Sequence, residues 1–209
     1  MERYEIVTSE LQKIFVDAKC ELDYKDPYTL LVAVILSAQC TDKRVNLVTP
    51  TLFASYPNVY AMANAEQADI ERIIHSCGFY RNKAKSIIEC SKDIIAKHNG
   101  EVPNTLEELV ELRGVGRKTA NVVLSTIFNV PAIAVDTHVF RVSNRLGLAN
   151  AKTPEECEKQ LMENLPKELW SKMHQLLVLF GRYNCKSKNP SCESCSLKGI
   201  CKEYKCKKN

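Results

Sequence analysis

A lysine, an aspartate and four cysteines are the residues of this chain best suited to chemistry. Lys118 follows the turn Gly114-Val115-Gly116-Arg117, and Asp136 opens the stretch Asp136-Thr137-His138. A lysine amine can attack an electrophilic carbon and stay attached as a Schiff base, which divides one hard step into two. An aspartate carboxylate can serve in charge and proton movement where a reacting group comes near it. The plainer alternatives are a surface lysine and a carboxylate that caps a helix. The cysteines are spaced Cys185-x6-Cys192-x2-Cys195-x5-Cys201, four thiols within 17 residues. Four thiolates so near each other repel unless a cation holds them. Zinc sites more often pair two short Cys-x2-4-Cys knuckles, and only one short spacing exists here. Unequal loops of six, two and five residues suit a larger body with ligands at its corners, such as an iron-sulfur cubane.

The elements that must hold these residues follow from the neighbouring sequence. Thr105-Leu106-Glu107-Glu108 is a capping-box pattern that opens a short helix. Gly114 and Gly116 suit a tight hairpin in which both turn with positive φ and leave no side chain in the way of a ligand. From Arg117 to Phe128, Val122, Val123 and Ile127 recur at helical spacing. The unit is thus helix, hairpin, helix, with backbone N–H groups and the cations of Arg117 and Lys118 aimed at one place. That arrangement suits a phosphate, although a Gly-Val-Gly turn is also a common connector. Arg113, just before the hairpin, carries a guanidinium that could reach a phosphate.

Elsewhere the pattern is helical. Val7, Leu11, Ile14, Phe15 and Ala18 make one stripe, and Asp26-Pro27 caps a run from Tyr28 to Ala38 that is apolar all round. The cap and the length favour a central buried helix over a buried strand. After the polar corner Ser37 to Asp42 come helices carrying Val45, Val48 and Leu52, then Ile70, Ile73, Ile74 and Cys77 stopped by Gly78, then Ala84 to Ile95 stopped by Asn99-Gly100. Asp136 caps a helix reaching Leu146-Gly147, Thr153-Pro154 starts another, and a last one spans Glu168 to Phe180 and ends at Gly181. No segment alternates convincingly or repeats. An all-α fold is expected.

Composition bounds the partners. The chain has 209 residues, 45% hydrophobic and 26% charged, ordinary for a soluble globular protein. Its net charge is +4, unevenly placed: from Arg182 onward eight Lys/Arg face two Glu, a net of +6, so the remainder is −2. A basic carboxy-terminal segment fits a polyanion, although solvated lysines are the commoner meaning of the last few. The longest apolar run, Leu30 to Leu36, is too short to cross a bilayer. Ten cysteines without a secretory signal argue for a reducing compartment and for metal rather than disulfides. A cytoplasmic protein without a membrane partner is expected. Cys206 reads as a free thiol, and Cys20, Cys40, Cys77, Cys90 and Cys157 read as core residues on helix faces.

Gly114-Val115-Gly116-Arg117-Lys118-Thr119-Ala120-Asn121-Val122-Val123-Leu124 and Val135-Asp136-Thr137-His138-Val139-Phe140-Arg141-Val142 resemble the helix-hairpin-helix and catalytic-aspartate segments of the endonuclease III family of DNA glycosylases. The four-cysteine spacing is similar to that family's 4Fe-4S motif, and the likeness runs from about Asp26 to Cys201. The resemblance implies a six-helix domain over residues 21–131, with its hairpin at 112–118. It also implies a helical iron-sulfur domain built from 1–20 and 132–209, and a cleft between the two that receives DNA. By the same resemblance Lys118 attacks C1′ of the deoxyribose while Asp136 assists. Gly114, Gly116, Arg117 and Thr119 hold the DNA backbone, joined by Lys186 and Lys188 from the six-residue cysteine loop, where the plainer reading is two solvated lysines. Gln39, in Ser37-Ala38-Gln39-Cys40-Thr41-Asp42, matches a glutamine inserted into the duplex. Phe79 stands where the family commonly shows leucine and could stack as a wedge, or be a core phenylalanine. Arg113 replaces the usual proline, and His138 is as well explained by structure as by catalysis.

The implied activity is removal of oxidised or ring-saturated pyrimidines from double-stranded DNA, with cleavage at the resulting abasic site, by a monomer associated with the nucleoid. An adenine-mismatch glycosylase is a poorer fit, because those relatives carry glutamate where Val34 stands and lack the lysine. A DNA-binding module without catalysis would use every contact except Lys118 and Asp136.

Overall fold

The computed structural model describes residues 2–204, so Cys206 and the lysines at 205, 207 and 208 lie outside the described residues. The element order over the described residues is α1 (Arg3–Ile14), α2 (Pro27–Ser37), α3 (Asp42–Ser55), α4 (Val59–Ala63), α5 (Gln67–Ile73), α6 (Tyr80–His98), α7 (Leu106–Val110), α8 (Arg117–Thr126), α9 (Thr137–Leu146), α10 (Pro154–Asn164) and α11 (Trp170–Tyr183). A 3-10 turn, Lys167–Leu169, leads into α11. No strand occurs among the described residues, so the all-α expectation holds, and no helix there is long and apolar enough to cross a membrane.

The helices form two compact units. One spans Glu21–Asn129, and the other is made of the flanking segments, up to Cys20 and from Val130 onward. The first is built around α2. Asp26 accepts from the Thr29 amide at 2.7 Å while the Thr29 hydroxyl accepts from the Asp26 amide at 3.0 Å, and Pro27 fixes the first turn. Every residue from Thr29 to Leu36 is buried, as an unbroken apolar run requires of a central helix. Helices α3, α6 and α8 pack against it. In the other unit Val7 and Leu11 of α1, Val139, Val142 and Leu146 of α9, and Leu176, Leu177 and Phe180 of α11 share one core.

Three boundaries depart from the sequence pattern. α5 ends at Ile73 with Ile74 as its cap, so Cys77 and Gly78 lie in the loop that follows rather than at a helix end. α11 runs through Gly181 to Tyr183. Gly181 is a packing residue: a Cβ there would stand 2.7 Å from the Cβ of His138, so its absence lets α11 close on α9. The short helix α4 was not anticipated; Asn58 caps it by accepting from the Ala61 amide at 2.9 Å, and Val59 and Met62 are its buried face.

Candidate active site and cysteine centre

The helix-hairpin-helix unit is present. The Thr105 hydroxyl accepts from the Glu108 amide and donates to the Glu108 carboxylate at 2.6 Å, which starts α7. The two hairpin glycines differ. Gly114 takes φ +79°, and a Cβ there would meet the Ser86 side chain of α6 at 2.6 Å. Gly116 sits at φ −90° with nothing within 4 Å of a built Cβ, which corrects the expectation that both turn with positive φ. Neither the backbone nor protein packing demands glycine at 116; the space it leaves is open to an incoming group. It is also the N-cap of α8 and offers no side chain to the first amides of that helix. Arg117 and Lys118 are exposed in this turn and Thr119 is half-buried.

Arg113 is turned away from the role of phosphate contact. Its guanidinium pairs with the Glu89 carboxylate and lies 3.9 Å from Asp93, both on α6, and its backbone N–H donates to Asp93 at 3.0 Å. Proline has no such N–H, so the hairpin is held to α6 by a bond that proline could not make.

Gln39 and Phe79 are neighbours. Both are exposed and both adopt left-handed backbone, at φ 52° and 57°. Non-glycine residues occupy that region at a cost and gather where the surrounding structure holds them for function. Phe79 is 64% exposed, which removes the core alternative. A Cβ built on Gly78 would stand 3.2 Å from the Gln39 carbonyl oxygen, so the two loops touch. Beneath them Lys83 of α6 is only 6% exposed and donates to the Leu36 carbonyl at 2.8 Å, filling the open end of α2 where this loop departs. Sequence reasoning missed Lys83, because a lysine on an amphipathic helix ordinarily faces water.

In the other unit Asp136 caps α9. Its Oδ1 accepts from the amides of His138 at 2.8 Å and Val139 at 2.7 Å, which leaves Oδ2 outside the cap. Arg141 donates to His138 Nδ1 at 3.2 Å, placing the ring proton on Nε2, and also to the Gly181 carbonyl at 2.8 Å and the Cys185 carbonyl at 3.1 Å. Burial lowers the pKa of this guanidinium from its usual value, while Cys185 and Asp136 oppose the shift.

The four cysteines line one cavity of about 250 Å³, with Ile14, Leu146 and Phe180 among its other walls. No three His, Cys, Asp or Glu side chains among the described residues stand close enough to hold a single metal ion. Burial pushes the Cys195 thiol up. Arg145 donates to Cys185 Sγ at 3.5 Å and to the Lys186 carbonyl at 2.9 Å, and Arg3 bridges the carbonyls of Leu146 and Ile200. Leu197, 1% exposed, anchors the segment in the core. Arg141 and Arg145 share one face of α9 with His138, a spacing visible in the sequence whose carbonyl partners are not. Lys186 and Lys188 are exposed in the loop between the first two cysteines.

Comparison with known proteins places this geometry. The family described as HhH-GPD superfamily base excision DNA repair protein matches residues 32–167. The chain is 50% identical over 206 residues to the endonuclease III of Bacillus subtilis (strain 168), covering 97% of this chain and 93% of that one. It is 42% identical to the endonuclease III of Escherichia coli (strain K12), covering 98% and 96%. A solved structure of a trapped endonuclease III–DNA covalent intermediate superposes with a TM-score of 0.94 at 48% identity, covering 100% of both chains. A thermostable thymine-DNA glycosylase shares the fold, with a TM-score of 0.85 at 21% identity. With the hairpin, the capped aspartate and near full-length identity all in agreement, this chain belongs to the endonuclease III family of HhH-GPD DNA glycosylases.

Proposed function

We propose that the protein is a bifunctional DNA glycosylase and abasic-site lyase that removes oxidised or ring-saturated pyrimidines from duplex DNA, with Lys118 as nucleophile. The observation that carries this is the exposed lysine in the first turn of α8, directly behind a hairpin whose Gly116 leaves open space. Helix amides and Arg117 hold a backbone phosphate there. The target nucleotide leaves the stack at a cost of a few kcal/mol. Gln39 and Phe79 offset part of that cost by filling the gap, since both are exposed on adjoining loops.

The neutral amine of Lys118 forms a bond to C1′ as the C1′–N1 bond breaks and the base departs with a proton. Asp136 Oδ2, free of the helix cap, balances the positive charge that develops on the sugar. Opening of the ring gives a Schiff base to Lys118. Loss of a C2′ proton then expels the 3′ phosphate, and water releases the enzyme. The trapped covalent complex of the endonuclease III structure supports a covalent route.

The cofactor of this reading is a 4Fe-4S cluster on Cys185, Cys192, Cys195 and Cys201. The cavity between the four thiols supports it, since a tetrahedral zinc would need all four sulfurs about 2.3 Å from one point. When bound, the cluster binds the carboxy-terminal segment to the unit as a covalent staple. Lys186 and Lys188, exposed beside it, contact the DNA backbone.

Borohydride reduction during turnover on an abasic duplex should give a covalent protein–DNA adduct. Lys118→Gln should abolish it and Asp136→Asn should slow its formation by about 10²-fold or more. An undiminished adduct in Lys118→Gln would defeat the assignment, and binding without cleavage in the unaltered protein would favour a DNA-binding module.

A further inference from the structure

We propose that Cys40 and Cys77 are a redox-active thiol pair whose disulfide ties together the two loops that carry Gln39 and Phe79. Neither cysteine lies on a helix face as core packing would have it; both are in loops, one residue after Gln39 and two before Phe79. Their thiols lie near enough to perturb one another, and neither is in a disulfide. Cys40 is half-buried and so meets solutes, whereas Cys77 is 1% exposed beneath it. Lys83 stands near both sulfurs, and Arg44 near Cys77. Burial, aided by Cys40, pushes the Cys77 thiol up to about 11. Cys40 is thus the entry point and Cys77 the resolving partner.

The chemistry is thiol–disulfide exchange with a low-molecular-weight disulfide. The Cys40 thiolate attacks one sulfur of that molecule, forms a mixed disulfide and expels one thiolate. Cys77 loses its proton, attacks the Cys40 sulfur and expels the second. The two cysteines together give up two electrons and two protons, and the small disulfide is reduced to two thiols.

The bond requires the sulfurs to close to about 2.05 Å. The two loops already run close together, a Cβ built on Gly78 standing 3.2 Å from the Gln39 carbonyl oxygen. Gln39 and Phe79, both in left-handed backbone, lie within two residues of the pair, so closing the bond shifts the backbone that carries their side chains. A weaker grip on DNA follows, and this consequence rests on the function proposed above, whereas the thiol pair does not.

The test equilibrates the cluster-loaded protein in buffers of graded reduced and oxidised glutathione, with the visible absorbance of the cluster followed as a control. After acid quench and alkylation, peptide mass spectrometry should find a Cys40–Cys77 cross-link while Cys90 and Cys157 stay alkylatable or buried. Affinity for a duplex with a tetrahydrofuran abasic analogue should fall about tenfold on oxidation, an ordinary size for a coupling, and return with dithiothreitol. Cys40→Ala, and separately Cys77→Val, should remove both the cross-link and the redox dependence. Glutathione retained on Cys40 with no cross-link, thiols unaltered at the most oxidising ratio, or equal affinity in both states would overturn the proposal. Failure of the reduced protein to bind the abasic duplex would instead strike the proposed function, leaving the cross-link to be judged by itself.

Discussion

Gly114 and Gly116 are indistinguishable as letters and differ in kind as residues. Alanine at 114 must take a positive φ and press into Ser86, so Gly114→Ala should lower stability by about 1–3 kcal/mol, read as a shift in urea midpoint. Gly116→Ala should leave that midpoint unchanged within error and weaken abasic-duplex binding, because only a visiting backbone needs the space. Loss of stability at 116 with DNA binding intact would reverse the assignment. The chemistry-bearing residue types were legible from spacing alone: Lys118 behind its hairpin, Asp136 at a helix start, four thiols in 17 residues. What was hidden depended on partners distant in sequence. The Arg113 pairing with Glu89 and Asp93 spans 24 and 20 residues, and the left-handed backbone at Gln39 and Phe79 occurs where two loops distant in sequence come close together.

Helices were easier to find than to end. Caps written in adjacent residues gave the starts of α2, α9 and α10 correctly, since Asp26, Asp136 and Thr153 need only the amides two or three positions on. Glycine is ambiguous as a stop signal because it serves close packing as well as a turn. Gly147 ends α9 with φ +71°, whereas Gly181 lies inside α11 against His138. Gly181→Ala should therefore cost about 1–3 kcal/mol through overpacking of α9 and α11, not through helix propensity, which it would improve. A stabilised variant would show that the two helices can move apart. Lys83→Met keeps the length of the side chain and removes the donor to Leu36. It should destabilise by about 1–3 kcal/mol, since a carbonyl at the end of α2 is left unpaired.

At the scale of the whole molecule, three buried thiols outside the four-cysteine motif set an alkaline limit. Burial pushes Cys77 and Cys157 up to about 11 and Cys90 up to about 12. In the unfolded chain a thiol loses its proton near pH 8.5. Above that pH the unfolded state sheds protons that the folded state keeps, so stability is full below about pH 8.5 and declines as pH rises toward 11. Thermal midpoints measured across that range should fall, and Cys90→Ala should flatten the decline. Loss of the proposed cluster to a chelator should make the loop at Lys186 and Lys188 sensitive to trypsin before the rest of the chain is cut. The unit containing that loop is also discontinuous, and Arg3 binds the carbonyl of Ile200 across 197 residues of chain. A ribosome delivers α1 first and its partners last. The segment Glu21–Asn129 can condense while translation is under way, but the leading helix must wait, its Val7 and Leu11 uncovered, until α9 and α11 have emerged. Nascent chains stalled before α11 should accordingly hold one protease-resistant body and a cleavable leading segment.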